Sequence, residues 1–207
     1  MQLEDINNKS TITYCSSYFL FSIVLFLCIP GYLFSSDYTG HIALTSGGLA
    51  TGHKFSNAFN IDKKVELGLS FDVKKKSWPI SIAFDSSFLH AESETLINKY
   101  NLEENKKISF FRSDTCLGVK KIFNITPVCK PFLSSGIYFT RIYGKLSYER
   151  EIAAGVGYWV GAGLYFDLPK NLTCGFLWKL SNAELNIFDV KSNIGGNHFS
   201  LITGFYF

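Results

Sequence analysis

After residue 34 the 207-residue sequence has no uninterrupted apolar run of helix length, because Gly, Ser and Thr break its uncharged stretches at short intervals. A spanning helix needs about 20 consecutive apolar residues, so a helical membrane bundle is excluded. Charge is also scarce: 18% of residues are charged and the formal net charge is +3. The lysines Lys74-Lys75-Lys76 and Lys106-Lys107 fall at expected turns or strand ends instead of forming one basic face, which removes nucleic acid as a partner. Of five cysteines, Cys15 and Cys28 lie in the N-terminal segment, leaving Cys116, Cys129 and Cys174 without a CxxC pair or a Cys/His cluster. That pattern excludes a zinc site and a dense disulfide framework.

What the chain does have is aromatics, at 16%, with 20 Phe and 17 Gly. Residues Tyr18 to Ile29, YFLFSIVLFLCI, form a short apolar run followed by Pro30-Gly31 and the small pair Ser35-Ser36. A run of that length with a small-residue zone behind it reads as a signal segment. We therefore divide the chain into a signal peptide at 1–36 and a single domain at 37–207. The region ahead of the run holds Glu4 and Asp5 against Lys9, and Leu33 and Phe34 are bulky for a processing site, so the cleavage point and the true start codon stay open. Cys28 follows Leu25-Phe26-Leu27, where lipoprotein processing wants a small residue.

Within 37–207 the dominant signal is alternation. Val65, Leu67, Leu69, Phe71 and Val73 are apolar, while Glu66, Gly68, Ser70, Asp72 and Lys74 are polar or small. Ile80, Ile82, Phe84 and Phe88 continue on one parity after a Lys-rich turn. From Ala154 to Phe166 the even positions are apolar and the odd ones include Gly155, Gly157, Gly161 and Gly163. After Pro169-Lys170-Asn171 the parity resumes with Leu172, Cys174, Phe176, Trp178 and Leu180, and Phe199, Leu201, Thr203, Phe205 and Phe207 close the chain. Weaker strands fit 38–46, 108–122 and 128–142. In hydrocarbon every backbone polar group must be paired inside the protein, so a spanning sheet closes and alternates lipid-facing and lumen-facing residues. The expected fold is all-β: an eight-stranded antiparallel up-and-down transmembrane β-barrel after an N-terminal signal segment. A soluble β-sandwich would also alternate, but it would leave the glycine row on its outer face.

Connections near 75–78, 123–127 and 167–171 are short, whereas those near 50–64, 90–106, 142–152 and 183–196 are longer and mostly polar. That order suits outer-membrane barrels with both termini in the periplasm. The ending FSLITGFYF resembles the C-terminal signal read by the outer-membrane assembly machinery, although Ile202 stands where Gly is usual. Together with ELGLSFDVKKKSWPISIAFD, the ending GGNHFSLITGFYF resembles the outer-membrane β-barrel domain superfamily of small eight-stranded proteins. The resemblance implies the cell outer membrane, contact with its lipid and lipopolysaccharide, assembly through the strand ending at Phe207, and a monomer.

Lys179-Leu180-Ser181-Asn182-Ala183 is similar to the H-x-S-N-A segment of lipid A 3-O-deacylases, in which His and Ser are the catalytic pair. Lys179 stands at the His position here, and a lumen-facing lysine paired with acids such as Asp72, Asp85 or Asp114 is a poor base. His198 could replace it only by facing Ser181. His41 shares the inward parity of Thr39 and Ala43, and His53 and His90 fall in expected loops. The sequence therefore assigns no catalytic, cofactor-binding or metal residue, no cofactor, and no enzyme activity. An inner face carrying Glu66, Asp72, Asp85, Arg112, Asp114, Lys120 and Lys179 beside Trp159 and Tyr165 fills a lumen of eight strands. The expectation is a structural or surface-interaction barrel, with a narrow channel or a lipid A-modifying hydrolase as alternatives.

Overall fold

The computed structural model describes residues 37–51, 65–93, 108–146, 149–187 and 190–207. The expected signal segment and His53 lie outside them. Among the described residues nine strands run in chain order: β1 (Tyr38–Thr51), β2 (Val65–Lys75), β3 (Ser81–Ser93), β4 (Ile108–Ile122), β5 (Cys129–Leu146), β6 (Glu149–Leu168), β7 (Leu172–Ile187), β8 (Val190–Asn193) and β9 (Gly196–Tyr206). Each of β1 to β7 pairs with the next, and β9 joins β7 to β1, so eight strands form a closed barrel. The four-residue β8 folds back onto the end of β7, pairing Asn193 with Glu184 and Val190 with Ile187.

Closure leaves the eight barrel strands without an open edge among themselves, and the side-chain period of two then separates the surfaces. Leu67, Ile82, Leu117, Val160, Phe176 and Leu201 are among the outward apolar residues that stay exposed. Glu66, Asp72, Asp85, Arg112, Asp114, Lys120 and Lys179 all point inward and are buried. The expected parity holds in β2, β3, β4, β6, β7 and β9. No helix among the described residues is long and apolar enough to cross a membrane.

Three tight connections define one end of the barrel. Trp78 N–H donates to Lys75 O at 2.8 Å, Cys129 N–H donates to Thr126 Oγ1 at 2.8 Å, and Lys170 and Asn171 turn the chain with φ of 65° and 60°. Gly163 illustrates why the inner face of β6 is rich in glycine: a Cβ there would lie 2.4 Å from the Phe132 ring and 2.2 Å from Phe176 O.

Three expectations about the opposite end are corrected. The connection expected at 142–152 is strand on both sides, with Gly144 opposite Glu151 and Lys145 opposite Arg150. Much of 183–196 is likewise taken by the end of β7 and by β8. His90, expected in a loop, belongs to β3 opposite Val65 and Phe111. Beyond the hydrocarbon both faces of a strand can meet water, so polar residues there do not end backbone pairing as they would in a half-buried sheet.

Candidate functional site

The lumen is divided into two hydrogen-bonded clusters. Toward the tight-turn end, Asp72 on β2 receives Lys120 Nζ at 3.0 Å and Tyr165 Oη at 2.9 Å, with Lys120 also donating to Tyr165 Oη at 2.7 Å. His41 on β1 places Nδ1 3.2 Å from Asp72 and Nε2 3.3 Å from Asp167. A neutral imidazole has a single N–H, so donation to both carboxylates requires the imidazolium. Asp167 also accepts from Lys130 and from Thr173 Oγ1 at 3.0 Å. The His41 ring stacks on Tyr165 with centroids 4.0 Å apart, and Lys120 Nζ lies 4.8 Å from the Phe132 centroid.

Toward the other end, Arg112 donates to Asp114 at 2.9 Å, to Ile194 O at 2.8 Å and to Tyr138 Oη. Beside it, β7 and β9 pair with Lys179 opposite His198 and Ser181 opposite Gly196. Inward parity turns all three side chains into the lumen, where His198 meets Glu66 of β2. His198 Nδ1 is 2.7 Å from Glu66 Oε2, and Ser181 Oγ is 2.9 Å from His198 Nε2. With Nδ1–H donated to the carboxylate, Nε2 carries the lone pair and accepts the serine hydroxyl proton. Gly196 N–H donates to Ser181 Oγ at 3.3 Å. This Ser–His–Glu chain has the connectivity of an activated nucleophile, its base and the group that orients the base.

The structure meets the condition set for His198, which does face Ser181. Of the acids expected beside Lys179, Asp85 and Asp114 lie near enough to act on its charge, but none of the three is its hydrogen-bond partner. That lysine donates to Cys116 Sγ at 3.7 Å, while Asp72 is taken by Lys120 and Asp114 by Arg112. Parity placed Glu66 in the lumen, but 132 residues separate it from His198 and nothing local in either strand announces the contact.

The ligand atoms of Glu66, Asp114 and His198 also fall within 4.8 Å of one another, as a metal site requires. The donor set does not suit one. Both His198 nitrogens are engaged, and Arg112 already supplies the cation beside Asp114. Ser181 is 3% exposed and His198 is fully buried. Leu49, Leu89, Phe110, Leu185 and Ile194 belong to a buried apolar cluster in the same half of the lumen.

No family model matches the chain, and no curated protein matches it. Solved structures do. The outer membrane protein OprG of Pseudomonas aeruginosa superposes with a TM-score of 0.56 at 10% identity, covering 83% of this chain and 95% of its own. Neisserial surface protein A gives 0.53 at 11% identity, with 83% and 98% covered. Ail, the attachment invasion locus protein of Yersinia pestis, gives 0.50 at 14% identity, with 84% and 100% covered. The fold is that of small eight-stranded outer-membrane barrels.

Proposed function

We propose that this chain is a barrel of the bacterial outer membrane with a structural or surface-interaction role, its lumen closed to ions. The filled lumen carries the reading. Arg112 reaches from β4 to Asp114, Tyr138 and Ile194 O, and the Asp72–Lys120–Tyr165 cluster occupies the next level. Eight strands leave an interior just wide enough for side chains, and an ion would have to break several charge-assisted bonds to pass. The exposed apolar belt supports a lipid-facing surface. The barrel stands as a monomer with its tight turns and both termini in the periplasm, its other end toward lipopolysaccharide, and its last strand to Phe207 offered to the assembly machinery. Recording the refolded protein in planar bilayers tests this: steady closed behaviour is expected, and discrete open-channel steps would overturn it.

A second reading, ester hydrolysis at Ser181, is favoured by the Ser181–His198–Glu66 chain. His198 Nε2 would take the hydroxyl proton as Oγ attacks an acyl carbonyl, then return it to the leaving alkoxide, and water would repeat the cycle on the acyl-serine. Entry requires displacing side chains that cover Ser181, which places this reading behind the first. Fluorophosphonate labelling that is lost in Ser181→Ala, with lipid A mass spectrometry for product, tests it. Absence of labelling in the parent protein removes it.

A further inference from the structure

We propose that the tight-turn mouth of the lumen binds a phosphate group, carried by a phospholipid headgroup or present as the free anion. A cavity of about 260 Å³ opens there, lined by Thr39, His41, Lys74, Lys76, Asn124 and Lys130, together with Ile122. Its position follows from strand parity: Lys74 continues the inward series of Ser70 and Asp72 on β2, and Lys130 continues that of Phe132 and Ser134 on β5. Lys75 and Lys121 stand on the opposite parity and do not line the cavity.

The acids near the cavity floor are already saturated. Asp72 accepts from Lys120, Tyr165 and His41, and Asp167 accepts from Lys130, His41 and Thr173. Lys74 and Lys76 have no carboxylate partner among the described residues. The cations His41 (as imidazolium), Lys74, Lys76, Lys120 and Lys130 stand against the carboxylates Asp72 and Asp167, with Asp85 also acting on Lys120, which leaves the mouth with excess positive charge. Cations gathered around one mouth repel one another, and an oxyanion that accepts from several of them relieves that repulsion. Thr39 and Asn124 add neutral donors suited to a tetrahedral oxyanion. The volume admits a phosphate with its waters but not acyl chains, so a lipid would leave its tails outside on the barrel wall. The site does not depend on membrane orientation. Only the lipid source rests on the reading that this end faces the periplasm, beside the inner leaflet.

The test uses the full chain refolded in dodecyl maltoside, which carries no phosphate. Titration calorimetry with inorganic phosphate is expected to show one site per barrel. Lys74→Gln/Lys76→Gln should weaken it by about tenfold or more, as loss of two charge-assisted contacts requires, while Lys75→Gln binds like the parent. Native mass spectrometry after addition of phosphatidylglycerol separates the sources. Retention of one lipid by the parent and not by the double variant assigns a headgroup, and phosphate binding without lipid retention assigns the free anion. Heat-modifiable gel migration checks that every variant is folded. Equal behaviour of the parent and the folded double variant with both probes overturns the proposal.

Discussion

Lys120 Nζ lies 3.0 Å from Asp72 Oδ2, a contact between residues 48 apart in sequence that both point into the barrel from β4 and β2. Both are shielded from water, Asp72 being fully buried and Lys120 2% exposed. Removing Lys120 leaves Asp72 with His41 and Tyr165, and removing Asp72 leaves Lys120 with the neutral Tyr165 hydroxyl.

Lys120→Met should lower the stability of the refolded barrel by about 1–3 kcal/mol, the cost of a buried carboxylate that loses one of its partners while keeping His41 and Tyr165. Asp72→Asn/Lys120→Met should recover much of that loss, because the methionine then packs on the Phe132 and Tyr165 rings beside a neutral amide. Urea midpoints in micelles for the two single variants and the double variant check this. A double variant as unstable as the sum of the singles would show that the pair is not coupled.

Lumen and lipid face were legible in the sequence because the barrel enforces a strict period of two on every strand, and a single misplaced charge would be costly. Arg112, Asp114 and Lys120 illustrate the logic: putting them inside left Phe111, Leu117 and Val119 outside, and the structure agrees. Parity says nothing of which inward residues meet across the lumen. That depends on the stagger between strands distant in the chain, so the Glu66–His198 and His41–Asp167 contacts were not readable. Strand length beyond the membrane was also hidden, since around Lys145 and Arg150 pairing persists without an apolar face to mark it.

The lipid face can be tested at Leu69, on the outward parity of β2 and opposite Ser86 of β3. Leu69→Arg should cost about 2–4 kcal/mol if this position lies near the bilayer midplane, whereas Leu69→Phe should be close to neutral. The measurement is folding free energy in lipid vesicles. An arginine variant as stable as the phenylalanine variant would place position 69 outside the hydrocarbon.

Gly163 makes the complementary point from inside. A Cβ there would meet the Phe132 ring, which packs against Tyr165 at a centroid distance of 4.6 Å. Gly163→Val should destabilise the barrel by about 1–3 kcal/mol through overpacking. Gly163→Val/Phe132→Leu should regain part of the loss by making room, while the close carbonyl of Phe176 keeps the rescue incomplete. Chemical unfolding of both variants decides whether the glycine row is set by lumen crowding.

The last strand offers a way to separate a structural role from a recognition role. Phe207 exchanges two backbone bonds with Gly40, N–H to O at 3.0 Å and O from N–H at 2.9 Å. Its ring covers the glycine closely enough that a Cβ at position 40 would sit 3.0 Å from Phe207 Cζ. Phe207→Ala keeps the backbone bonds and removes only the ring, so refolding in detergent should be near normal, with a loss of about 1 kcal/mol for a half-buried apolar side chain. If the assembly machinery reads that ring, the same substitution should sharply reduce the folded outer-membrane fraction in cells, while Asn193→Ala at the opposite end does not. The pair of measurements is decisive because the two roles predict different ratios. Equal modest losses in detergent and in cells would leave Phe207 a closing residue of the barrel and nothing more.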